Sequence, residues 1–301
     1  MSIAIEANQL SKYFRDKRVI NQISFQVYQG EIFGLLGRNG AGKSTTLNML
    51  TGIIHPTSGE IRILGEPIEQ LSKVIHHIGV LTENQTYFDE MTALDHLLLF
   101  ANMHGGNIKR QSLRELLRKV DLDPNSSKPV SQFSQGMKKK LGIAQAMIGK
   151  PECLLLDEPT SLLDERSIKA IHRLLKDFAK RGTAIFLTSS NAKECEEICD
   201  RIAILENGRI QREVTPKQLH QPNRAINVRI HTGPVNQELL QVLRRRISQE
   251  CHATLKVDEQ GFEVRIGDKK MIPALLHVLH DENVPVFEVQ QVSSTNNLYF
   301  Q

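Results

Sequence analysis

The chain has 301 residues, with 38 Lys and Arg against 34 Asp and Glu, a net charge of +4, and no Trp. Its length suits two domains or one large one, and a hydrophobic share of 40% is that of an ordinary globular protein. Charges of both signs are interspersed and aromatics are sparse, which gives no sign of a nucleic-acid surface and argues against stacking platforms for single strands.

No apolar run approaches the roughly 18–20 residues needed to cross a bilayer. The N-terminus, MSIAIEANQLSKYF, lacks the basic start and apolar core of a signal peptide. A cytoplasmic protein is the expectation, and Cys153, Cys195, Cys199 and Cys251 fit it as free thiols. Cys195 and Cys199 share one face of a predicted helix with no further metal ligands nearby, so core packing is expected of them.

Residues 1–85 alternate strand-like runs with turns: IAIEANQLSKYF, VINQISFQVYQG and GEIRILGEPI are bounded by Gly, Asn and Pro. EIFGLL reads as a buried strand, followed by a helix from Gly42 to about Leu50. From about 88 to 150, MTALDHLLLFANMHG, RQSLRELLRKVDL and SQGMKKKLGIAQAMIG carry apolar residues at helical spacing, which predicts a helical insert. CLLLD and AIFLTS are strands separated by the helix ERSIKAIHRLLKDFAKRG, and RIAILENGRIQ is a hairpin turning at Asn207-Gly208. The alternation predicts an α/β fold with a mainly parallel sheet covered on both faces.

A boundary near HQPNRA (220–225) divides the chain into residues 1–220 and 221–301. Beyond it INVRIHT, QELLQVLRRRI, ATLKVD, FEVRIG, MIPALLHVLHDEN and VFEVQQV read as β-α-β-β-α-β, a small split-βαβ sandwich with no metal, nucleophile or phosphate motif. Its basic LLQVLRRRI helix is a solvated face or a membrane-surface contact. The tail NNLYFQ resembles a protease recognition sequence with Asn296 in place of Glu, and equally a native ending.

GRNGAGKS, residues 37–44, has the spacing G-x-x-x-x-G-K-[ST] between an apolar strand and a helix. Gly37, Arg38, Asn39, Gly40, Ala41 and Gly42 let the backbone curl its N–H groups toward phosphate oxygens, and the helix N-terminus through Thr45 adds its dipole. Lys43 is placed to reach the β- and γ-phosphates, and Ser44 to offer a hydroxyl to Mg²⁺. About 115 residues on, LLLDEP delivers Asp157 at a strand end to hold the Mg²⁺ shell. Glu158 follows, placed to orient or deprotonate an attacking water.

FSQGMKKKLGIAQAM, residues 133–147, resembles the signature segment of the ATP-binding cassette (ABC) family, usually L-S-G-G-Q. Ser134 and Gly136 match, while Gln135 and Met137 depart from it. The resemblance covers about residues 3–216 and implies a P-loop NTPase core with an antiparallel β edge. It further implies ATP and Mg²⁺ as cofactors, and two cassettes enclosing two ATPs head to tail. SLLD resembles the family's D-loop, which places Asp164 near the partner's phosphate loop. Phe14 falls where the family stacks an aromatic on adenine, with Tyr13 as the competing candidate. At Glu83 the family often carries a Gln that touches Mg²⁺ and the membrane partner, and Gln85 is a second possibility. Lys138, Lys139 and Lys140 read as a solvated helix face.

AIFLTSSNAKECEEICDRIAIL resembles a family segment in which a histidine contacts the terminal phosphate. Here the position falls on Ser190, with Asn191 next, and no histidine lies between Phe186 and Ile204. Removing a positioned donor of this kind costs about 10²–10³ in rate, and Asn191 is the candidate to restore part of it. An active homodimer, one half of a heterodimer, and a cassette that binds ATP with little turnover all remain open.

With no membrane span and a small second domain, the chain resembles the ATPase subunit of a bacterial exporter working with a separate integral-membrane permease. The permease contact is expected around Glu83–Thr92 and the adjoining helical insert. ABC ATPases acting on ribosomes or DNA carry a second cassette or long coiled coils, and neither feature is present.

Overall fold

The computed structural model describes residues 2–15, 17–83, 85–104, 108–219, 226–233, 235–251, 253–258, 261–266 and 271–292. The HQPNRA stretch and the NNLYFQ tail lie outside them. The chain divides into two compact units, Met1–Leu219 and His220–Gln301.

In the first unit, β1 (Ile3–Phe14) and β2 (Lys17–Tyr28) pair antiparallel, and β1 also pairs with β4 (Ser58–Ile63), which turns into the short β5 (Glu66–Pro67). The second sheet is built from β3 (Ile32–Leu36), β6 (Ile78–Leu81), β7 (Cys153–Asp157), β8 (Ala184–Ser189), β9 (Arg201–Glu206) and β10 (Arg209–Val214). Its order is β10-β9-β3-β8-β7-β6, with only β10 antiparallel. β3, β7 and β8 are buried at every residue, as expected of strands covered on both faces. IGVL of β6, which the sequence pattern did not single out, completes this sheet beside β7.

The two sheets close on a shared core with α1 (Lys43–Leu50). Phe25 of the antiparallel sheet stacks on Phe33 and Phe186 of neighbouring parallel strands, with ring centroids 5.5 Å away in both cases. The helical insert is α2 (Ala93–Met103), α3 (Arg110–Lys119) and α4 (Gln135–Ala146). Thr92 caps α2 and Ser134 caps α4, each accepting a backbone N–H three residues on. α5 (Glu165–Lys180) buries Ile171, Leu174, Leu175 and Phe178, one stripe of a 3.6-residue period. The short α6 (Ala192–Ile198) and α7 (Pro216–Leu219) flank the β9–β10 hairpin. At its turn Asn207 and Gly208 both have positive φ, 48° and 73°, as a type I′ turn requires.

Cys195 and Cys199 are buried, and a Cβ on Gly34 of β3 would meet Cys199 Sγ at 2.6 Å. The two thiols fill the space that this glycine leaves. No described helix is long and apolar enough to cross a membrane.

The second unit runs β11 (Ile226–Thr232), α8 (Gln237–Cys251), β12 (Thr254–Asp258), β13 (Gly261–Ile266), α9 (Ile272–Asp281), β14 (Val286–Val292). Its antiparallel sheet has the order β12-β13-β11-β14, the split-βαβ arrangement. Val228, Ile230, Phe262 and Val264 form its core with Leu243 and Ile247 of α8 and Leu275 and Leu279 of α9. Arg246 of the basic α8 is engaged within the unit, bonding Glu250, Asp281 and Glu282.

Candidate phosphate-binding and catalytic site

Parallel strands bring the loops at their C-terminal ends to one edge of the sheet. β3 leads into the glycine loop, β7 ends at Asp157, and β8 ends at Ser189. Three segments distant in sequence thereby meet. Ser189 accepts the Gly37 N–H at 3.1 Å, and Gly208 of the hairpin donates to Ala41 O at 3.1 Å, so the loop is held from both sides.

Close packing and conformation explain the glycines. A Cβ on Gly37 would lie 2.6 Å from Leu205 O, and Gly42 sits at φ 112° with Ile20 2.5 Å from its missing Cβ. Gly42 also occupies the N-cap of α1, where no side chain satisfies the first N–H groups. These donors stay available to an anion. Lys43 is buried and donates to Gly37 O at 2.8 Å, while its ammonium lies 3.2 Å from Glu158 Oε1.

A cleft of about 720 Å³ joins these groups. Asn39, Gly40, Gly42, Lys43, Ser44 and Thr45 line it with Glu83, Gln135, Glu158 and Ser190. Asp157 stands behind this wall, buried, with Thr188 Oγ1 donating to its Oδ1. Glu158 has φ 44°, an uncommon conformation for a residue with a side chain, and Thr188 Oγ1 accepts its N–H at 3.0 Å. Backbone strain of this sort gathers at functional positions. Ser190, the first residue after β8, donates its hydroxyl to Glu158 Oε2 at 3.3 Å.

Of the other candidates Gln85 lines the cleft, while Asn191, Asp164, Ser134, Gly136, Phe14 and Tyr13 are not among its lining residues. The Asn191 side chain does not reach toward Ser190's neighbours on the phosphate loop. Its Oδ1 accepts from Lys193 and Glu194 N–H, so it caps α6. Asp164 caps α5 through the N–H and hydroxyl of Ser167, bonds that hold its carboxyl below the usual range. The Ser134 hydroxyl accepts from Met137 N–H at 3.2 Å, and Gly136 lies against Leu162 O. Phe14 and Tyr13 are both exposed at the end of the β1–β2 hairpin. Phe14 pairs across the strands with Lys17, which lines the cleft, whereas Tyr13 pairs with Arg18. Cross-strand partners share a face, so Phe14 lies on the same face of the hairpin as the cleft-lining Lys17. Gln85 donates to Gln145 of α4 at 2.8 Å, which ties it to the helical insert.

The three lysines of α4 are not a solvated face. Lys138 pairs with Asp89 at 3.5 Å, and the buried Lys140 with Asp121 at 3.1 Å. Lys139 is half-buried, lines the cleft and donates to Asp157 O at 3.2 Å. Burial lowers its pKa, opposed by Asp157, Glu158, Glu83 and Glu194. The helical period carried the clue: Lys139 follows Gln135 by one turn, so a Gln135 facing the cleft brings Lys139 with it. Among the described residues, no group of three or more His, Cys, Asp and Glu is placed to hold a metal unaided.

Residues 20–161 match the family model described as ABC transporter. The chain is 39% identical over 226 residues to the bacitracin transport ATP-binding protein BcrA of Bacillus licheniformis, covering 74% of each. It is 37% identical over 245 residues to the Nod factor export ATP-binding protein I of a Rhizobium species, covering 80% of this chain and 81% of that one. A solved structure described as the ATP-binding subunit of an ABC transporter is 31% identical, with a TM-score of 0.65, over 70% of this chain and 90% of that one. The chain belongs to the ATP-binding subunits of ABC transporters, a family of ATPases.

Proposed function

We propose that this chain hydrolyses Mg²⁺-bound ATP in the cleft between the glycine loop and Glu158, and that it does so as the cassette of an exporter with a separate membrane permease. The observation that carries this is the meeting of Lys43, Ser44, Glu158 and Ser190 on one cleft, with Asp157 directly behind. The free N–H groups at the start of α1 and the Lys43 ammonium bind the phosphates. Glu158 accepts the proton of the attacking water or orients it.

Mg²⁺ fits the donors present. Ser44 offers a hydroxyl on the cleft wall, Asp157 a carboxylate with one oxygen already oriented by Thr188, and Glu83 a further exposed carboxylate. Mg²⁺ is commonly held by one or two carboxylates plus substrate phosphates, which suits a site without a complete protein ligand set. When bound, the ion neutralises charge on the phosphates.

Ser134, Gln135 and Gly136 begin α4 and would face ATP held by a second cassette, with Asp164 at the same interface. The permease contact extends from Glu83 through Thr92, where Phe88 is exposed, onto α2, where Met103 is exposed. The names of the bacitracin and Nod factor relatives support transport, and the second supports export. The second unit is proposed as an accessory domain of this subunit.

Steady-state ATP turnover of the purified chain beside Glu158→Gln tests this. Turnover that Glu158→Gln abolishes supports it, and turnover indifferent to Glu158→Gln overturns it. Ser190 favours a second reading, in which this cassette's own site is weak and its signature completes a partner's. That reading expects a silent wild type that Ser190→His awakens.

A further inference from the structure

Ser190 leaves one side of the cleft short of a charged donor. A serine hydroxyl is shorter than imidazole and carries no positive charge, and here it is bonded to Glu158. Lys139 brings a cation to the same wall. Its ammonium donates to the main-chain oxygen of Asp157, the carbonyl of the peptide that leads into Glu158. Asp157, Glu158 and Glu83 all act electrostatically on it.

Lys138 also lines the cleft but pairs with Asp89, and Lys140 is drawn away to Asp121. Lys139 is bonded to a neutral carbonyl, and no carboxylate among the described residues lies within ion-pair distance of it. Its charge is therefore not neutralised by a direct ion pair, and in a half-buried cleft its field is screened less than at the surface.

We propose that Lys139 is a positioning residue for hydrolysis, tying the signature helix α4 to the end of β7 and supplying, from the same chain, the positive charge on the Glu158 side that Ser190 lacks. The inference rests on the ATPase reading above. Through the Asp157–Glu158 peptide, Lys139 fixes the direction of the Glu158 carboxylate. Its charge offsets the crowding of that carboxylate against phosphate, a burden that grows as the reaction proceeds and that ATP binding alone does not carry.

The test uses the full chain as wild type, Glu158→Gln, Lys139→Met, Lys139→Gln, Lys139→Arg, Ser190→His and the Ser190→His/Lys139→Met double variant. Steady-state Mg²⁺-ATP hydrolysis gives kcat and KM, a fluorescent ATP analogue gives binding, and thermal melting reports folding. Lys139→Met is expected to lower kcat about tenfold or more, with KM and analogue binding within about threefold. Lys139→Gln keeps a donor for the carbonyl but no charge and behaves likewise, while Lys139→Arg retains most of the activity. In the Ser190→His background the loss on adding Lys139→Met shrinks severalfold, because imidazole then supplies the donor.

Lys139→Met turnover equal to wild type overturns the proposal. So does an arginine variant that fails together with methionine while both melt early, or a loss undiminished beside Ser190→His. A wild type no faster than Glu158→Gln defeats the ATPase reading and this inference with it. An active wild type with an indifferent Lys139→Met defeats the inference alone.

Discussion

The Lys43 ammonium lies 3.2 Å from Glu158 Oε1, so the cation of the glycine loop and the carboxylate beyond Asp157 share an ion pair. Lys43 is nearly buried and Glu158 only partly exposed, which makes the pair less screened than a surface one. Phosphate and Glu158 therefore compete for the same charge. Glu158→Gln removes the competitor along with the base. Binding and turnover should move in opposite directions: ATP binds a few-fold more tightly, and kcat falls about 10²-fold or more. Equilibrium binding beside steady-state hydrolysis checks both signs. A variant that binds ATP more weakly would mean that the ion pair does not oppose phosphate.

The glycine loop and the strand before Asp157 were legible in the sequence because each depends on local chemistry, and the signature segment because it resembles a family pattern. The G-x-x-x-x-G-K-[ST] spacing and an apolar run ending in Asp followed by Glu need no tertiary context to be seen. The hairpin at Asn207-Gly208 and the β-α-β-β-α-β order of the second unit were legible for the same reason. The features that were not legible depend on where side chains turn after the backbone is placed. Asn191 stands next to the switch position, yet as the residue before α6 it satisfies two helix N–H groups. Lys139 sits in a run of three lysines that looks solvated, and only its bond to Asp157 O at the end of β7 distinguishes it. IGVL of β6 is too short and too apolar to be separated from a loop by periodicity.

Cross-strand register distinguishes the two aromatics of the β1–β2 hairpin. Phe14 faces with Lys17, a cleft-lining residue, and Tyr13 with Arg18. Lys12 Nζ already lies 5.2 Å from the Phe14 ring, so a flat apolar surface there is in use. Phe14→Ala is expected to raise KM for ATP about five- to tenfold with kcat nearly unchanged, consistent with about 1 kcal/mol or more of lost stacking. Tyr13→Ala is expected to leave KM within about twofold. The reverse ranking would assign adenine to Tyr13.

Asn191 separates a structural role from a catalytic one. Its Oδ1 satisfies the N–H groups of Lys193 and Glu194 at 3.0 and 3.3 Å. Asn191→Ala should lower stability by about 1 kcal/mol, the usual cost of a lost N-cap. Asn191→Asp, which caps equally well, should restore it. Both variants should hydrolyse ATP within about twofold of wild type below their melting temperatures. Denaturant midpoints and turnover rates decide the matter, and a large loss of kcat in a well-folded Asn191→Asp would return Asn191 to the chemistry.

His96 gives the helical insert a pH dependence whose sign follows from its surroundings. The ring is fully buried on α2, with the rings of Tyr87, Phe88 and Phe100 centred 5.6, 5.9 and 4.9 Å away. Its Nε2 meets Gln145 Oε1 at 2.9 Å, an oxygen that also accepts from Gln85, so Nε2 carries the proton. Nδ1 is buried with no hydrogen-bond partner. Burial lowers the pKa below the ordinary 6.5, opposed in part by the Gln145 bond. The unfolded chain therefore binds a proton that the folded chain refuses. Stability from this site is complete above about pH 6.5 and declines as pH falls, by up to about 1.4 kcal/mol per pH unit until the folded pKa is reached. His96→Gln keeps a donor for Gln145 without a titrating ring. Urea midpoints between pH 5 and 8 should show a flatter acid limb for His96→Gln than for wild type, with the two curves parallel above pH 7. Equal slopes below pH 6.5 would mean that His96 takes up its proton in the folded state as readily as in the unfolded one.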